Sequence, residues 1–361
     1  MTIPRFSKAL VVKEPTAGSK PVLLDTALET KVIPKLKQGE VLVRINAAAF
    51  NHRDLWIRKG LYPQIAFNTP LGADGAGEVI ATGDGQDSLL NRRVFLIPMR
   101  GWASGDPPSA LPIMGGIRAL PIGAFSQYVV VEREHVIETP EHLDDEHIAA
   151  WPVGGVTAWR AVSVNAQVKE GDNVLITGIG GGVALVALQL CLALKANVYV
   201  SSGSEEKIRK AVELGAKGGV NYKNKDWPDQ LQKLLEKHSG KGAQLSSAID
   251  SGGGDLMAQL GKVLKGNGKV VCYGMTANPK ITFTIREVLK NQQLLGSTMG
   301  SRQDLIDATQ FIAKHKIVPI VSHVLDGLES AEEGFQLLQQ GAQFGKIVIR
   351  LRHDDKVPSK L

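Results

Sequence analysis

The fold is decided by NVLITGIGGGVALVALQLCLALKANVYVSSGSEEKIRKAVELGA, residues 173–216. VLITG at 174–178 reads as a buried strand, and a glycine-rich turn follows it. The apolar residues after the turn predict a buried helix over about 183–195. NVYVSS at 197–202 reads as a second strand, and 204–214 as an amphipathic helix with a charged face. Strand, helix and strand in this order make a βαβ unit, which belongs to a parallel sheet.

Downstream the alternation continues. GVNY at 219–222, a helix near 228–238, SSAID at 246–250, a helix near 255–264, KVVCYG at 269–274 and LLGSTM at 294–299 extend the sheet. Helices on both faces of such a sheet give an α/β, doubly wound, Rossmann-type domain. Upstream the texture differs. Short β-rich runs at 9–13, 41–45, 93–97 and 127–131 are separated by Gly and Pro, and residues 100–123 form a Gly/Pro-rich loop. The end of the chain has helices near 303–314 and 329–339 and a closing strand, GKIVIRL at 345–351. The nucleotide-type domain is therefore internal, at 153–299. Residues 1–152 and 300–361 are expected to pack together as a second, discontinuous, β-rich domain.

Composition narrows the function classes. A chain of 361 residues with 43% hydrophobic and 22% charged residues is that of a globular protein. Two cysteines, Cys191 and Cys272, exclude a disulfide framework and a four-cysteine zinc site, and both read as core. The net charge of +6 suits anionic ligands, but no basic block points to nucleic acid. The longest apolar run, 183–194, is too short to cross a membrane, and the N-terminus lacks a secretory pattern. Ser359, Lys360 and Leu361 form a C-terminal tripeptide that a peroxisomal import receptor reads. Peroxisomal residence is the expectation given a eukaryotic source, and a cytoplasmic one otherwise.

The turn GIGGGVA at 178–184 lets backbone approach a pyrophosphate, and the helix behind it offers free N–H groups. Gly180, Gly181, Gly182 and Val183 are the candidate contacts. The first glycine of the usual fingerprint is replaced by Ile179, with Gly178 and Gly180 flanking it. The second strand selects the cofactor. It ends in Ser201, Ser202 and Gly203, with no carboxylate before Glu205 and with Lys207 beyond. Small hydroxyls and a lysine receive a 2′-phosphate that a carboxylate would repel, so NADP(H) is favoured over NAD(H). Tyr222, at the end of the next strand, is placed beside Lys207. Tyr273 and Gly274, closing KVVCYG, complete the candidate cofactor set.

These features, with GEVLVRINAAAFN (39–51), RKGLYP (58–63), PLGADGAGEV (70–79), GAFSQYV (123–129), AAWPVGGVTAW (149–159), ELGA (213–216) and GKIV (345–348), resemble the medium-chain dehydrogenase/reductase superfamily. The resemblance implies a GroES-like β-rich catalytic domain beside the Rossmann domain. Zinc alcohol dehydrogenases of that superfamily carry Cys where Asn51 stands and a His-Glu pair where Ala73 and Asp74 stand. Their four-Cys lobe falls on 100–123. The departures imply that no metal is bound. The pattern around Asn51, Asp54, Arg58 and Tyr62 looks most like the zinc-free quinone oxidoreductase branch.

By that resemblance Asn51 and Tyr62 line the catalytic site, His52 lies near the cofactor pyrophosphate, and Thr157 packs behind the nicotinamide. A second tyrosine common in the branch is Trp56 here. The implied activity is NADPH-dependent hydride transfer to a small-molecule quinone or α,β-unsaturated carbonyl. Three alternatives stand beside it: an enoyl-thioester reductase, a zinc-free alcohol or carbonyl dehydrogenase, and an NADPH-binding protein with little turnover. The superfamily commonly dimerises through edge strands, which places a homodimer edge at ITFTI (281–285) with 294–299.

Overall fold

The run FSKALVV forms β1 (Phe6–Val12), which pairs antiparallel with β2 (Thr26–Val32). The computed structural model describes residues 3–16, 18–19, 21–85 and 87–353, and every structural statement below concerns these. Ser359, Lys360 and Leu361 lie outside them. The chain divides into two compact units. One comprises Met1–Val153 with Val318–Leu361, the other Gly154–Ile317.

The first unit is built on β3 (Glu40–Ala49), whose Val41, Leu42, Val43, Ile45 and Ala47 to Ala49 are all buried, with Arg44 and Asn46 only partly so. The short helix α1 (His52–Arg58) follows, then β4 (Asp74–Thr82), β5 (Arg93–Leu96), β6 (Tyr128–Glu132), β7 (Val136–Glu138) and α2 (Asp145–Ala149). β3 pairs antiparallel with both β4 and β6.

The second unit begins within α3 (Pro152–Trp159), which continues as a π-helix over Arg160–Ala166. Strands and helices then alternate as β8 (Asn173–Ile176), α4 (Gly182–Ala193), β9 (Asn197–Ser202), α5 (Glu205–Glu213), β10 (Gly218–Asn221), α6 (Trp227–Ser239) and β11 (Leu245–Asp250). The two-residue β12 (Gly253–Gly254), α7 (Leu256–Leu260), β13 (Leu264–Cys272), β14 (Asn278–Ile281), α8 (Ile285–Leu289), β15 (Gln293–Gly296) and α9 (Arg302–His315) complete it. Six strands form one parallel sheet in the order β10-β9-β8-β11-β13-β15. Leu175, Tyr199, Leu231, Leu235, Ala248 and Leu260 fill a core on it. The order reverses between β8 and β11, and ligands of such sheets bind at the carboxyl ends of the strands at that switch.

The chain then returns to the first unit with β16 (Val321–Asp326), α10 (Ala331–Gln340) and β17 (Lys346–Arg350). β17 pairs parallel with β16 and antiparallel with β3. Among the described residues, no helix is long and apolar enough to cross a membrane.

Three expectations need correction. The helix near 255–264 is only α7, which ends at its C-cap Gly261, and β13 starts at Leu264. ITFTI is not an edge of the large sheet. Only Ile281 is strand, in β14 against β12, and Thr284 already caps α8. The edge is β15. Finally, the second unit runs to Ile317 rather than to 299. The helix α9 holds it there, with Arg160 Nη1 3.0 Å from Asp304 Oδ2 and the Trp159 and Phe311 rings 5.3 Å apart.

Candidate functional sites

The candidate cofactor site lies in the second unit, at the carboxyl ends of β8, β9, β11 and β13. Gly178 and Gly180 take φ of +63° and +115°, which side-chain-bearing residues rarely adopt. Ile179 between them has ordinary φ. Its side chain is buried, and its N–H donates to Ser201 O at 3.0 Å. The departure at Ile179 therefore costs the turn nothing, because the strained conformations fall on glycines. Gly181 caps α4 with no side chain, and no acidic residue stands in the first turn. The opening N–H groups of α4 and the positive end of its dipole are thus uncompensated by carboxylate.

Lys207 reaches back over this turn. A Cβ built on Gly180 would fall 2.7 Å from Lys207 Cδ and 3.4 Å from its Nζ. Burial lowers the Lys207 pKa, opposed by Glu206 and helped by Lys210. The neighbouring acids are engaged elsewhere: Glu205 accepts from Asn221 Nδ2 at 2.7 Å, and Glu206 pairs with Lys210 at 2.7 Å. A Cβ on Gly203 would sit 2.8 Å from both the Tyr222 hydroxyl and Lys223 Cε. Ser201 and Ser202 are buried beneath, and Ser202 Oγ accepts the Ser204 N–H at 3.2 Å. Of the expected residues, Lys207 thus lies against Gly180, whereas Tyr222, with Lys223, lies against Gly203 at the end of β9.

On the other side of the turn, Ser251 lies against Gly178 and Gly274. A Cβ on either glycine would meet it, at 2.5 Å from its Oγ and 2.9 Å from its carbonyl oxygen. Asp250 takes the Thr177 hydroxyl at 2.6 Å and the Gly252 and Gly253 N–H groups at 3.0 and 2.8 Å, which fixes this corner. The half-buried Tyr273 hydroxyl titrates well above the ordinary tyrosine range, chiefly through burial. Thr157 is buried on α3, with its hydroxyl 3.9 Å from Met299 Sδ.

A second candidate cluster lies in the first unit, around α1. Asn51 caps that helix, and its side chain is held at both ends. Nδ2 donates to Asp74 Oδ2 at 2.8 Å, and Oδ1 accepts from Lys346 Nζ at 2.6 Å. Lys346 also donates to Asp74 Oδ2 at 2.9 Å, and Asp74 Oδ1 takes the Val153 N–H at 2.8 Å. All three side chains are buried. Asp54 accepts the Asn51 N–H at 2.8 Å. Its carboxyl is raised to about 6 by complete burial, against the opposing pull of Arg53.

Arg53 fixes Tyr62. Its guanidinium lies 4.9 Å from the Tyr62 ring centroid, with Nε 3.5 Å from the hydroxyl. The same group donates to Met114 O and Gly115 O at 2.8 and 3.2 Å, tying down the 100–123 loop. His52 is exposed on the first turn of α1, with its ring edge-on to Trp56. Asn51 and Tyr62 thus share a neighbourhood through α1. Lys346, Arg53, Asp250 and Ser251 are the residues that sequence reading missed. The Lys in GKIV and the Asp closing SSAID were visible signals.

Two family models match this chain: the zinc-binding dehydrogenase domain over 182–314 and the alcohol dehydrogenase GroES-like domain over 37–141. The zinc-type alcohol dehydrogenase-like protein YogA of Leptosphaeria maculans is 40% identical over 342 residues, covering 90% of this chain and 94% of that one. A solved NAD-dependent alcohol dehydrogenase superposes with a TM-score of 0.82 at 32% identity, covering 96% and 100% of the two chains. The crotonyl-CoA carboxylase/reductase AntE, solved with NADP, shares the fold at a TM-score of 0.84 and 22% identity, covering 97% and 96%.

Proposed function

This chain belongs to the medium-chain dehydrogenase/reductase superfamily as a zinc-type alcohol dehydrogenase-like oxidoreductase, and we propose that it is an NADPH-dependent reductase of quinones or α,β-unsaturated carbonyls that works without zinc. The observation that carries the cofactor choice is Lys207 lying over Gly180 of the glycine turn, with Tyr222 and Lys223 lying against Gly203 at the end of β9. The nearest carboxylates are paired with Asn221 and Lys210. A 2′-phosphate would find cationic and hydroxyl donors there. The pyrophosphate would take the N–H groups that open α4.

The donor set does not suit zinc. Zinc needs three or four Cys, His or carboxylate ligands. Among the described residues no three such side chains converge. Asn51 and Asp74 are engaged with an ammonium, which repels a second cation. An activated acceptor fits such a site, because its own conjugation spreads the charge that hydride addition creates.

NADPH, if bound there, would supply the hydride. The π electrons of the acceptor then shift to its oxygen. Asn51 Nδ2–H meets that oxygen as a hydrogen-bond donor, as preorganised oxyanion donors do. Tyr62, held by Arg53, delivers the proton that completes the reduction. We further propose that the protein is a homodimer and that Ser359-Lys360-Leu361 directs it to peroxisomes through the import receptor. Relocation to the cytosol on deleting the tripeptide checks the latter.

The test is NADPH oxidation by the purified protein with an ortho-quinone, a simple enone and a trans-2-enoyl-CoA, with NADH as control. Turnover of at least one acceptor, with NADPH much preferred, is expected. Tight NADPH binding with no turnover of any acceptor would overturn the proposal in favour of a binding protein.

A further inference from the structure

A buried ammonium at Lys346 has no part in the reaction as described so far. It opens β17, far in sequence from Asn51, yet its Nζ lies 2.6 Å from Asn51 Oδ1 and 2.9 Å from Asp74 Oδ2. The relative exposure of its side chain is 6%, and that of Asp74 is 0%. A lone charge at such depth would be costly, so each of this pair makes the other tolerable. One ion pair would satisfy that need without a third member. Asn51 is nevertheless placed between them, with its oxygen on the cation and its N–H on the anion.

That arrangement has two chemical consequences. The carboxamide orientation is fixed, because a flipped amide would press N–H against ammonium and carbonyl oxygen against carboxylate. One N–H is used on Asp74, and the second has no acceptor among the described residues. The cation on Oδ1 also draws charge from the amide and strengthens that second N–H as a donor, as linked hydrogen bonds do.

We propose that Lys346 is a positioning residue for the reduction, acting through Asn51. It aims and polarises the Asn51 N–H that meets the developing oxyanion, so a fixed ammonium one residue removed serves where a directly bound cation would otherwise act. This rests on the acceptor reading given above.

The experiment uses the full-length protein with NADPH and a graded series of enones whose enolates differ in basicity. Lys346→Met removes the charge, and Lys346→Met with Asp74→Asn removes both charges, so that no buried carboxylate is stranded. A second readout is equilibrium binding of substituted phenolates, which mimic the oxyanion without turnover. The expected result in the double variant is a kcat lowered roughly ten- to hundredfold, steepest for the most basic enolates. KM and NADPH affinity should stay within about threefold, because the charge acts on the transition state. Phenolate affinity should lose its dependence on phenol pKa. A uniform loss across the series, or a folded double variant with unchanged kcat and phenolate binding, would overturn the inference while leaving the reductase reading intact. A wild-type protein that reduces nothing in the series would take both down.

Discussion

At Lys207, burial and ligand charge pull in opposite directions. The folded environment lowers the pKa of the free side chain, whereas a bound phosphate would restore its charge. NADPH affinity should therefore fall as pH rises through that lowered pKa, while NADH affinity should not. Lys207→Ala should weaken NADPH binding roughly ten- to hundredfold, the range of a charge-assisted hydrogen bond. Fluorescence titration against both cofactors reads this directly. Asp54 gives a different pH signature. Its carboxyl is raised from 3.8 to about 6 by burial, so the folded protein holds its proton in a range where the unfolded chain has released it. This contribution to stability is present below about pH 4 and is lost as pH rises to about 6, on the order of 3 kcal/mol. Asp54→Asn should gain stability relative to wild type across that window, which denaturant titrations at pH 4 and 7 would show. The glycine turn and the serines were legible because their chemistry is local in sequence. The Asn51, Asp74 and Lys346 cluster was not, because it joins three strand and helix ends through tertiary contact alone.

Among the elements, α9 shows how a cap can matter beyond its own helix. Ser301 Oγ accepts the Asp304 N–H at 3.0 Å, and Asp304 accepts the Ser301 N–H at 2.8 Å. The same carboxylate holds Arg160 on the π-helix. Ser301→Ala should cost about 1 kcal/mol, a typical N-cap loss, seen as a lowered midpoint in urea. Asp304→Ala should cost more, because it also removes the ion pair that Asp304 makes with the largely buried Arg160. The alternating β/α pattern of the second unit was read from its apolar strands and amphipathic helices. The π-helix at Arg160–Ala166 was not, since its wider turn has no distinct residue signature. Lys269 closes that segment by donating to the Asn165 carbonyl at 3.0 Å and to Gln167 Oε1 at 2.8 Å. Strand β4 was also missed; its glycines and alanines at 75–77 conceal a buried strand beneath an unremarkable composition.

For the molecule as a whole, β15 leaves the parallel sheet with an open edge, and Ile285, Val288 and Leu289 of α8 are exposed apolar residues. Leu289 is 77% exposed. Open edges and apolar clusters are where chains self-associate. Sedimentation equilibrium should show a dimer at micromolar concentration, and Leu289→Lys should shift it toward monomer. The two-unit organisation was legible in the change from β-rich to alternating texture. Its second boundary was not, because α9 carries the same amphipathic pattern whichever unit it serves. The discontinuity of the first unit bears on its biosynthesis. Lys346 lies 272 residues beyond Asp74, so at typical synthesis rates the ribosome delivers the counter-charge roughly 14 to 54 seconds after the carboxylate. Through that interval the whole second unit is made while Asp74 has no lysine to meet. The nascent first unit therefore cannot reach its native interior on the ribosome, and any chain released before residue 346 carries an uncompensated acid for quality control to find.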